Sequence, residues 1–429
     1  MRDVRISLNT SLRRWLVGAA AVTLAAAYLT LTGRQCLAAW FSERVELASL
    51  QRAARFDPGN ADYRNHLGRY YALVSRDPAA AIAPYRAAVQ LNPHSARYWF
   101  DLASAYQVQG DITNQTWALE RAIDADPTTP DVAWEAANLY LVQGQNEKAL
   151  HEFHVVLGND PSLAGTAIQF CWRIQPDVDA LLRDVVPARS DAYISFLSLL
   201  MQREETAGTA KVWNALMQVQ QPFELRFVFE YFRYLVLHKD APQALLVWQQ
   251  AASRFGLSAY LPSRSNLIVN GNFSLDVLNG GFDWQYHKNP SVELTLDPTE
   301  FHGGRRSLLI SFDGPGIADA GIFQLIPVRP DTTYVFSAYY KNGELEKNSE
   351  LQGAGGPHFA IQDMYNQNVY FDSGELKDAA GSWKSVDGEF TTGPDCALVM
   401  LRIRRLPEGS PIRGKLWVDD FHLAKKPSE

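Results

Sequence analysis

The stretch AIAPYRAAVQLNP at residues 81–93 returns in related form as QTWALERAIDADP at 115–127 and as ALHEFHVVLGNDP at 149–161. Pro58 and the prolines that close these three stretches follow one another at intervals of 35, 34 and 34 residues. Each stretch carries apolar and small residues at helical spacing and ends on proline, which cannot continue a helical hydrogen-bond ladder. Another helical pattern precedes each stretch. The sequence therefore predicts helix pairs that repeat every 34 residues.

The repeat also places small residues at matching positions of each helix pair. They are Gly68, Ala103 and Ala137 in the first helices and Ala88 and Ala122 in the second, where Val156 departs from the rule. This pattern resembles the tetratricopeptide repeat, which implies a solenoid with a concave surface for a protein partner. We expect a helical domain over 41–260, with clear repeats in 61–161 and diverged helix pairs in 162–260.

The diverged part is rich in aromatic residues between 223 and 234. They are Phe223, Phe227, Phe229, Tyr231, Phe232 and Tyr234. We interpret them as core packing; a groove for a partner is the alternative.

From residue 266 the hydrophobic pattern alternates with a period of two and is interrupted by Gly, Asn and Asp clusters, which is typical of short strands. The strand candidates are 266–270, 292–296, 307–312, 322–328, 333–341, 358–364, 383–391, 397–406 and 415–423. This number of short strands over about 160 residues predicts an all-β sandwich.

Several segments of this region occur in a characteristic order. They are NLIVNGNF (266–273), HGGRRSL (302–308), SW (382–383), EFT (389–391) and LWVDDFHL (416–423). Together they resemble the family 4 and family 9 carbohydrate-binding modules, which implies a galactose-binding-like jelly roll over 266–424. The expected fold class is thus multidomain α plus β: a transmembrane helix, a helical solenoid and a C-terminal jelly-roll sandwich.

The resemblance also implies a structural calcium ion held by an acidic residue after NGNF and by an aspartate of the closing strand. Ser274 stands at the first position, whereas Asp419 and Asp420 retain the second. Calcium takes six to eight oxygen ligands. Asp420 is the candidate metal ligand; the alternative is that it only ends the strand.

A sugar site needs aromatic surfaces and fixed polar groups. A polar stripe on one sheet supplies our candidate ligand-binding residues, which are Gln324, Tyr339, Gln362, Arg402 and Arg404. An ordinary solvated face is the alternative. Trp284 and Trp383 match framework positions of the resembling family, so we expect them in the core.

The N-terminus carries an uncharged apolar segment at 15–33, preceded by four arginines and followed by Arg34. Nineteen residues make a helix of about 28 Å, close to the thickness of the hydrocarbon core. The arginine asymmetry predicts a cytoplasmic tail at 1–14 and a single-pass signal-anchor of the bacterial inner membrane, with the bulk of the chain periplasmic. A cleaved signal peptide and a buried core helix are the alternatives.

Charge and motifs exclude other classes of function. The net charge is -7, and beyond the first 40 residues no segment is basic, which excludes nucleic acid as a partner. Three scattered cysteines form no disulfide framework. No nucleophile elbow, HExxH motif or P-loop occurs. His151 and His154 lie three residues apart on a helix, but surface histidines explain them better than a metal site.

These observations predict a non-catalytic, membrane-anchored scaffold whose repeats bind a protein and whose β domain binds a polysaccharide, in envelope polysaccharide biosynthesis or export. A first alternative is an interaction scaffold whose β domain binds no sugar. A second is a divergent glycan-processing enzyme.

Overall fold

The computed structural model of the protein describes residues 10–314, 317–347, 355–377, 381–405 and 411–427. The chain divides into two compact units, Met1–Gln221 and Pro222–Glu429. The described part of the first unit is helical, and the second unit joins two long helices to a β-sandwich. Residues 1–9 of the expected cytoplasmic tail lie outside the described residues.

The first unit is a series of helix pairs. Its helices are α1 Ser11–Ser42, α2 Leu47–Phe56, α3 Ala61–Arg69, α4 Pro78–Leu91, α5 Ala96–Gln109, α6 Ile112–Ala125, α7 Pro130–Val142, α8 Asn146–Asn159, α9 Ala164–Ile174, α10 Val178–Asp184, α11 Ser190–Gln202 and α12 Thr206–Gln218. A π-helical turn, Tyr70–Val74, follows α3.

Helix α1 contains the apolar segment and is long and apolar enough to cross a membrane, with none of its apolar window buried. Its C-terminal end packs on α2, where Ala38 is fully buried and the rings of Phe41 and Phe56 stack with centroids 5.8 Å apart. The buried-core-helix alternative is therefore wrong for the apolar window. The end of α1 also supplies the first helix that the half repeat at 45–58 lacks.

The small residues of the repeats lie where helices touch. A Cβ atom added to Gly68 would come within 2.5 Å of the Tyr85 ring. Ala103 and Ala137 have no exposed surface. The turn at Gly110 adopts φ +73°, a left-handed conformation that ends α5 and that glycine favours. The helix-pair interpretation of 61–161 is thus confirmed.

The second unit begins with helices α13 Leu225–Leu237 and α14 Ala241–Phe255, followed by a short 3₁₀ turn, Ser258–Tyr260. Its strands are β1 Gln285–Tyr286, β2 Val292–Asp297, β3 Ser307–Gly314, β4 Asp319–Pro327, β5 Thr333–Lys347, β6 Pro357–Asp363, β7 Val369–Asp372, β8 Lys384–Thr391, β9 Leu398–Arg405 and β10 Ile412–Lys425. The first sheet has the order β1-β4-β9-β6-β7 and the second β2-β3-β10-β5-β8. Paired strands are antiparallel, and a shared apolar core fills the space between the sheets.

The strand expected at 266–270 is not formed. Asn266 instead bonds through its side chain to the backbone of Phe421 and Leu423, and Asn270 adopts φ +51°. These side-chain bonds replace the ladder of a strand. Trp284, whose indole donates to the Asn270 carbonyl, is fully buried as expected.

Helices α13 and α14 form a hairpin that packs on the sandwich. The rings of Phe232 and Phe282 meet edge to face with centroids 4.8 Å apart. A Cβ atom on Gly281 would lie 2.4 Å from the fully buried Trp248 ring. The second unit therefore starts ahead of α13, whereas the sequence pattern changes only at about residue 266. The aromatic residues of α13 contribute to this packing, as the core interpretation predicted.

Candidate functional site

The outward face of the first sheet carries a polar cluster. Antiparallel pairing places Phe323 opposite Arg402, which in turn lies opposite Ala360. We call these three residues the middle row. Arg404 lies opposite both Asp319 and His358, and these three form the polar row. Rows two residues apart along a strand are about 7 Å apart.

A third row lies at the other side of the middle row. Leu325 is opposite Met400, and Met400 is opposite Gln362. We call these three residues the helix row, because α13 lies against it. Leu325 and Met400 of this row line the cavity beside α13, whereas the side chains of the polar row do not.

Asp319 of the polar row is paired with Arg402 of the middle row. Arg402 Nε lies 3.3 Å from Asp319 Oδ2, and Asp319 Oδ1 accepts from the Gly321 amide at 2.7 Å. Burial raises the pKa of Asp319, while this amide and the positive charge of Arg402 act in the opposite direction. Arg404 Nε is buried and has no hydrogen-bond partner among the described residues. This face therefore holds a guanidinium N–H group that has no hydrogen-bond acceptor among the described residues.

The structure brings together three of the five candidate ligand-binding residues: Gln362, Arg402 and Arg404. Gln324 faces the core, where its amide bonds to both the N–H and the carbonyl of Val269. The expectation placed Gln324 outward and Phe323 inward. Because side chains of a strand alternate, a shift of one residue exchanges the two faces.

Tyr339 is the other candidate that the structure separates from this face. It belongs to β5 of the second sheet, and its ring stacks on His302 with centroids 3.6 Å apart. Trp383 meets the same histidine at 5.9 Å. Trp383 is half-buried rather than part of the core. The polar stripe expected from sequence thus combined residues of two different sheets, because sequence does not give strand order.

A cavity of about 510 Å³ lies between α13 and the first sheet. Its lining from the sheet side includes Phe323, Leu325 and Met400, and its lining from α13 includes the exposed Arg226, Glu230 and Arg233. Sequence reasoning missed these residues. The i, i+4, i+7 spacing of the three charged residues was visible as one helix face, but nothing in the sequence showed that this face lies beside a sheet.

The two aspartates at the expected calcium position bond to neighbouring groups of the protein. The Asp419 carboxylate accepts three backbone N–H bonds, from His302, Gly303 and Asp420, and its burial raises its pKa to about 6. Asp420 Oδ2 lies 2.6 Å from His302 Nδ1. Within the described residues there is no group of three acidic, histidine or cysteine side chains that could hold a metal. A calcium ion here, which would take six to eight oxygen ligands, stays a prediction from the resemblance.

The two histidines of α8 are not arranged as a pair of ligands. His154 Nδ1 lies 2.8 Å from the Val185 carbonyl. His151 lines a separate cavity of about 420 Å³ together with Lys148 and Glu152. Burial raises the pKa of Glu152 to about 7. We assign no chemistry to this cavity.

Comparison with known proteins agrees with this architecture. Residues 265–404 match the family model described as "Carbohydrate binding domain", which covers carbohydrate-binding modules 4 and 9. No curated protein matches the chain.

Solved structures similar to parts of the chain fall into two groups. One, described as "CBM4 structure and function", has 16% identity and a TM-score of 0.28, and the match covers 37% of this chain and 99% of that one. The PilF protein of Pseudomonas aeruginosa has 15% identity and a TM-score of 0.26, with 53% and 93% covered. MamA has 19% identity and a TM-score of 0.24, with 40% and 85% covered. At these identities and TM-scores, the neighbours carry no information about ligands.

The carbohydrate-binding-module resemblance is confirmed over residues 265–404 by the family model. The tetratricopeptide resemblance agrees with the series of helix pairs in the first unit.

Proposed function

We propose that this protein is a non-catalytic, membrane-anchored scaffold whose β-sandwich binds a polysaccharide on the outward face of the first sheet. The observation that carries the proposal is the middle row, where Phe323 lies opposite Arg402 in a carbohydrate-binding-module domain. The half-buried Phe323 ring offers an apolar surface for a sugar ring. Arg402 and Arg404, about 7 Å apart, offer donors to hydroxyl groups or to a uronic-acid carboxylate.

The test is a screen of the full-length chain, in detergent, against a panel of neutral and uronate-containing oligosaccharides. Titration calorimetry with an oligosaccharide that binds in this screen then compares the affinities of the variants. Arg402→Ala should weaken binding by about 1.5–3 kcal/mol, as for a lost hydrogen bond to a charged group. Tyr339→Ala, in the other sheet, and Arg264→Ala, an exposed arginine outside the face, should bind like the wild type. Binding to no oligosaccharide, or equal affinity in all four proteins, would refute the proposal.

The membrane anchor of this proposal is α1. The apolar segment and the end of α1, which packs on α2 through Ala38 and Phe41, form one continuous helix. Retention of the whole helix would fix the solenoid directly to the membrane span. We therefore propose an uncleaved signal-anchor with the bulk of the chain outside the cytoplasm.

Two measurements test this topology. Alkaline phosphatase fused after Glu429 should be active, and a fluorescent reporter that matures only in the cytoplasm should stay dark. Mass spectrometry of the purified protein should find the apolar segment. A fluorescent, phosphatase-inactive fusion contradicts the orientation, and a mature N-terminus beyond residue 33 contradicts the anchor.

We propose a protein partner for the helical repeats. Polar side chains of successive first helices meet across the repeats: Asn65 Nδ2 donates to Asp101 at 2.8 Å, and the Tyr98 hydroxyl donates to Asp62 at 2.5 Å. These bonds join neighbouring repeats, and stacked repeats present a continuous surface to a partner. A scaffold in polysaccharide biosynthesis or export would hold another envelope protein there.

A second candidate function is a scaffold whose β domain binds no sugar. The observation that favours it is that Leu325 and Met400 lie beside α13, so this face of the sandwich packs within its own unit. The oligosaccharide screen separates the two candidates.

A further inference from the structure

We propose that α13 forms one wall of the glycan site and that its charged residues Arg226, Glu230 and Arg233 select oligosaccharides that carry carboxylates. This inference rests on the proposed function. It adds a recognition element that lies outside residues 265–404, the part that matches the carbohydrate-binding model.

Contacts along α13 and just beyond its end determine its course over the sheet. In its first half and middle, the Phe229 ring lies against Gly280, where a Cβ atom would be 2.6 Å away, and Phe232 meets Phe282. This loop leads directly into β1, the edge strand. Just beyond its end, Lys239 Nζ lies 5.8 Å from the centre of the Tyr365 ring, in the turn after β6. Helix α13 therefore crosses β1, β4, β9 and β6.

The dimensions agree with this course. Thirteen residues at about 1.5 Å each give a helix of about 20 Å. Four neighbouring strands, about 4.8 Å apart, span about 14 Å between the outer two axes. The helix is thus long enough to border the whole width of the polar cluster.

The groove beside α13 has charged groups on its wall and an aromatic ring on its floor. Arg226, Glu230 and Arg233 line the same cavity as Phe323. Along the helix axis they follow one another at about 6 and 4.5 Å, close to the length of one sugar unit. A chain of sugars lying beside α13 would meet one charged side chain per ring.

Charge complementarity favours an acidic ligand. Arg226 pairs with the exposed Glu224, and Arg402 pairs with Asp319. Among the described residues, Arg233 has no carboxylate within ion-pair distance, whereas Arg404 lies opposite Asp319 in the sheet. The Arg233 guanidinium on the wall of this groove suits a uronic acid, whose carboxylate can accept two parallel hydrogen bonds from an arginine.

The experiment uses the full-length chain in detergent, with tetragalacturonate as the acidic probe and cellotetraose as the neutral probe. Arg233→Gln should weaken tetragalacturonate binding five- to twentyfold and change cellotetraose binding less than twofold. Glu230→Gln removes a repelling carboxylate and should strengthen tetragalacturonate binding two- to fivefold. Arg264→Gln, an exposed arginine of the same unit, is the matched control and should change neither affinity.

Arg233→Gln should weaken binding and Glu230→Gln should strengthen it. A folding defect cannot explain both results, because a damaged site does not gain affinity. If Arg402→Ala weakens binding while Arg233→Gln and Glu230→Gln do not change it, α13 is not part of the site, and the proposed function stands without this inference. If tetragalacturonate does not bind, this inference is overturned, whereas the proposed function is judged by the whole oligosaccharide panel.

Discussion

Replacing Gly281 with alanine tests whether the α13–α14 hairpin and the sandwich form one cooperative unit. Gly281 has φ +63°, and an added Cβ atom would lie 2.4 Å from the ring of Trp248. That indole has no exposed surface and donates to the Tyr260 carbonyl at 2.8 Å, so it has little freedom to move.

Two costs add in this variant. A left-handed backbone costs a residue with a Cβ atom about 1–2 kcal/mol. Overpacking of a rigid contact costs a further 1–3 kcal/mol or so. We therefore expect Gly281→Ala to lower the free energy of opening of the second unit by about 2–5 kcal/mol.

Gly256 provides the matched control. It has φ +70°, and a Cβ atom there would have nothing within 4 Å. Gly256→Ala should therefore show only the backbone cost of about 1–2 kcal/mol.

The measurement is hydrogen exchange of the full-length chain, with the amides of β10 as the probe, since core strands exchange only when their unit opens. Strand β10 is far from Gly281 in sequence and lies in the second sheet. A larger loss of protection in Gly281→Ala than in Gly256→Ala shows that the packing of the hairpin stabilises the sandwich. Equal losses in the two variants, or a loss confined to the hairpin, would refute the reasoning.

Two further predictions concern the helical unit. Gly68→Ala should lower its stability by about 1–3 kcal/mol because the new methyl group meets the Tyr85 ring at 2.5 Å, whereas Gly165→Ala, with nothing within 4 Å on helix α9, should raise it by up to about 1 kcal/mol. Urea unfolding measures both, and equal shifts would contradict the assigned helix contact. Glu152 is buried with its pKa raised to about 7, so the folded state holds its proton more tightly than the unfolded state, and this residue costs stability as pH rises from about 4.5 to 7. Glu152→Gln should therefore add stability, up to about 3 kcal/mol, at pH 8 and little at pH 4; the same gain at both pH values would rule out this origin.

Local patterns were sufficient for the helices and for most strands. The period of 34 residues defined the helix pairs, because small residues and terminal prolines act within one pair. Alternation located β3, β5 and β10 to within a few residues at their starts. The strand expected at 266–270 failed because Asn266 and Asn270 use their side chains to bond distant or local backbone groups.

Residue patterns alone were enough for the two classes of domain, the apolar N-terminal helix and the arginines on one side of β9. The folded chain was needed to show that Tyr339 lies in the other sheet, that Gln324 faces inward while Phe323 faces outward, and that α13 lies beside the first sheet. The reason is physical: helical and strand periods are properties of neighbouring residues. Strand order, and the surface on which a helix rests, depend on contacts between residues far apart in the chain, such as Phe232 with Phe282 and Lys239 with Tyr365.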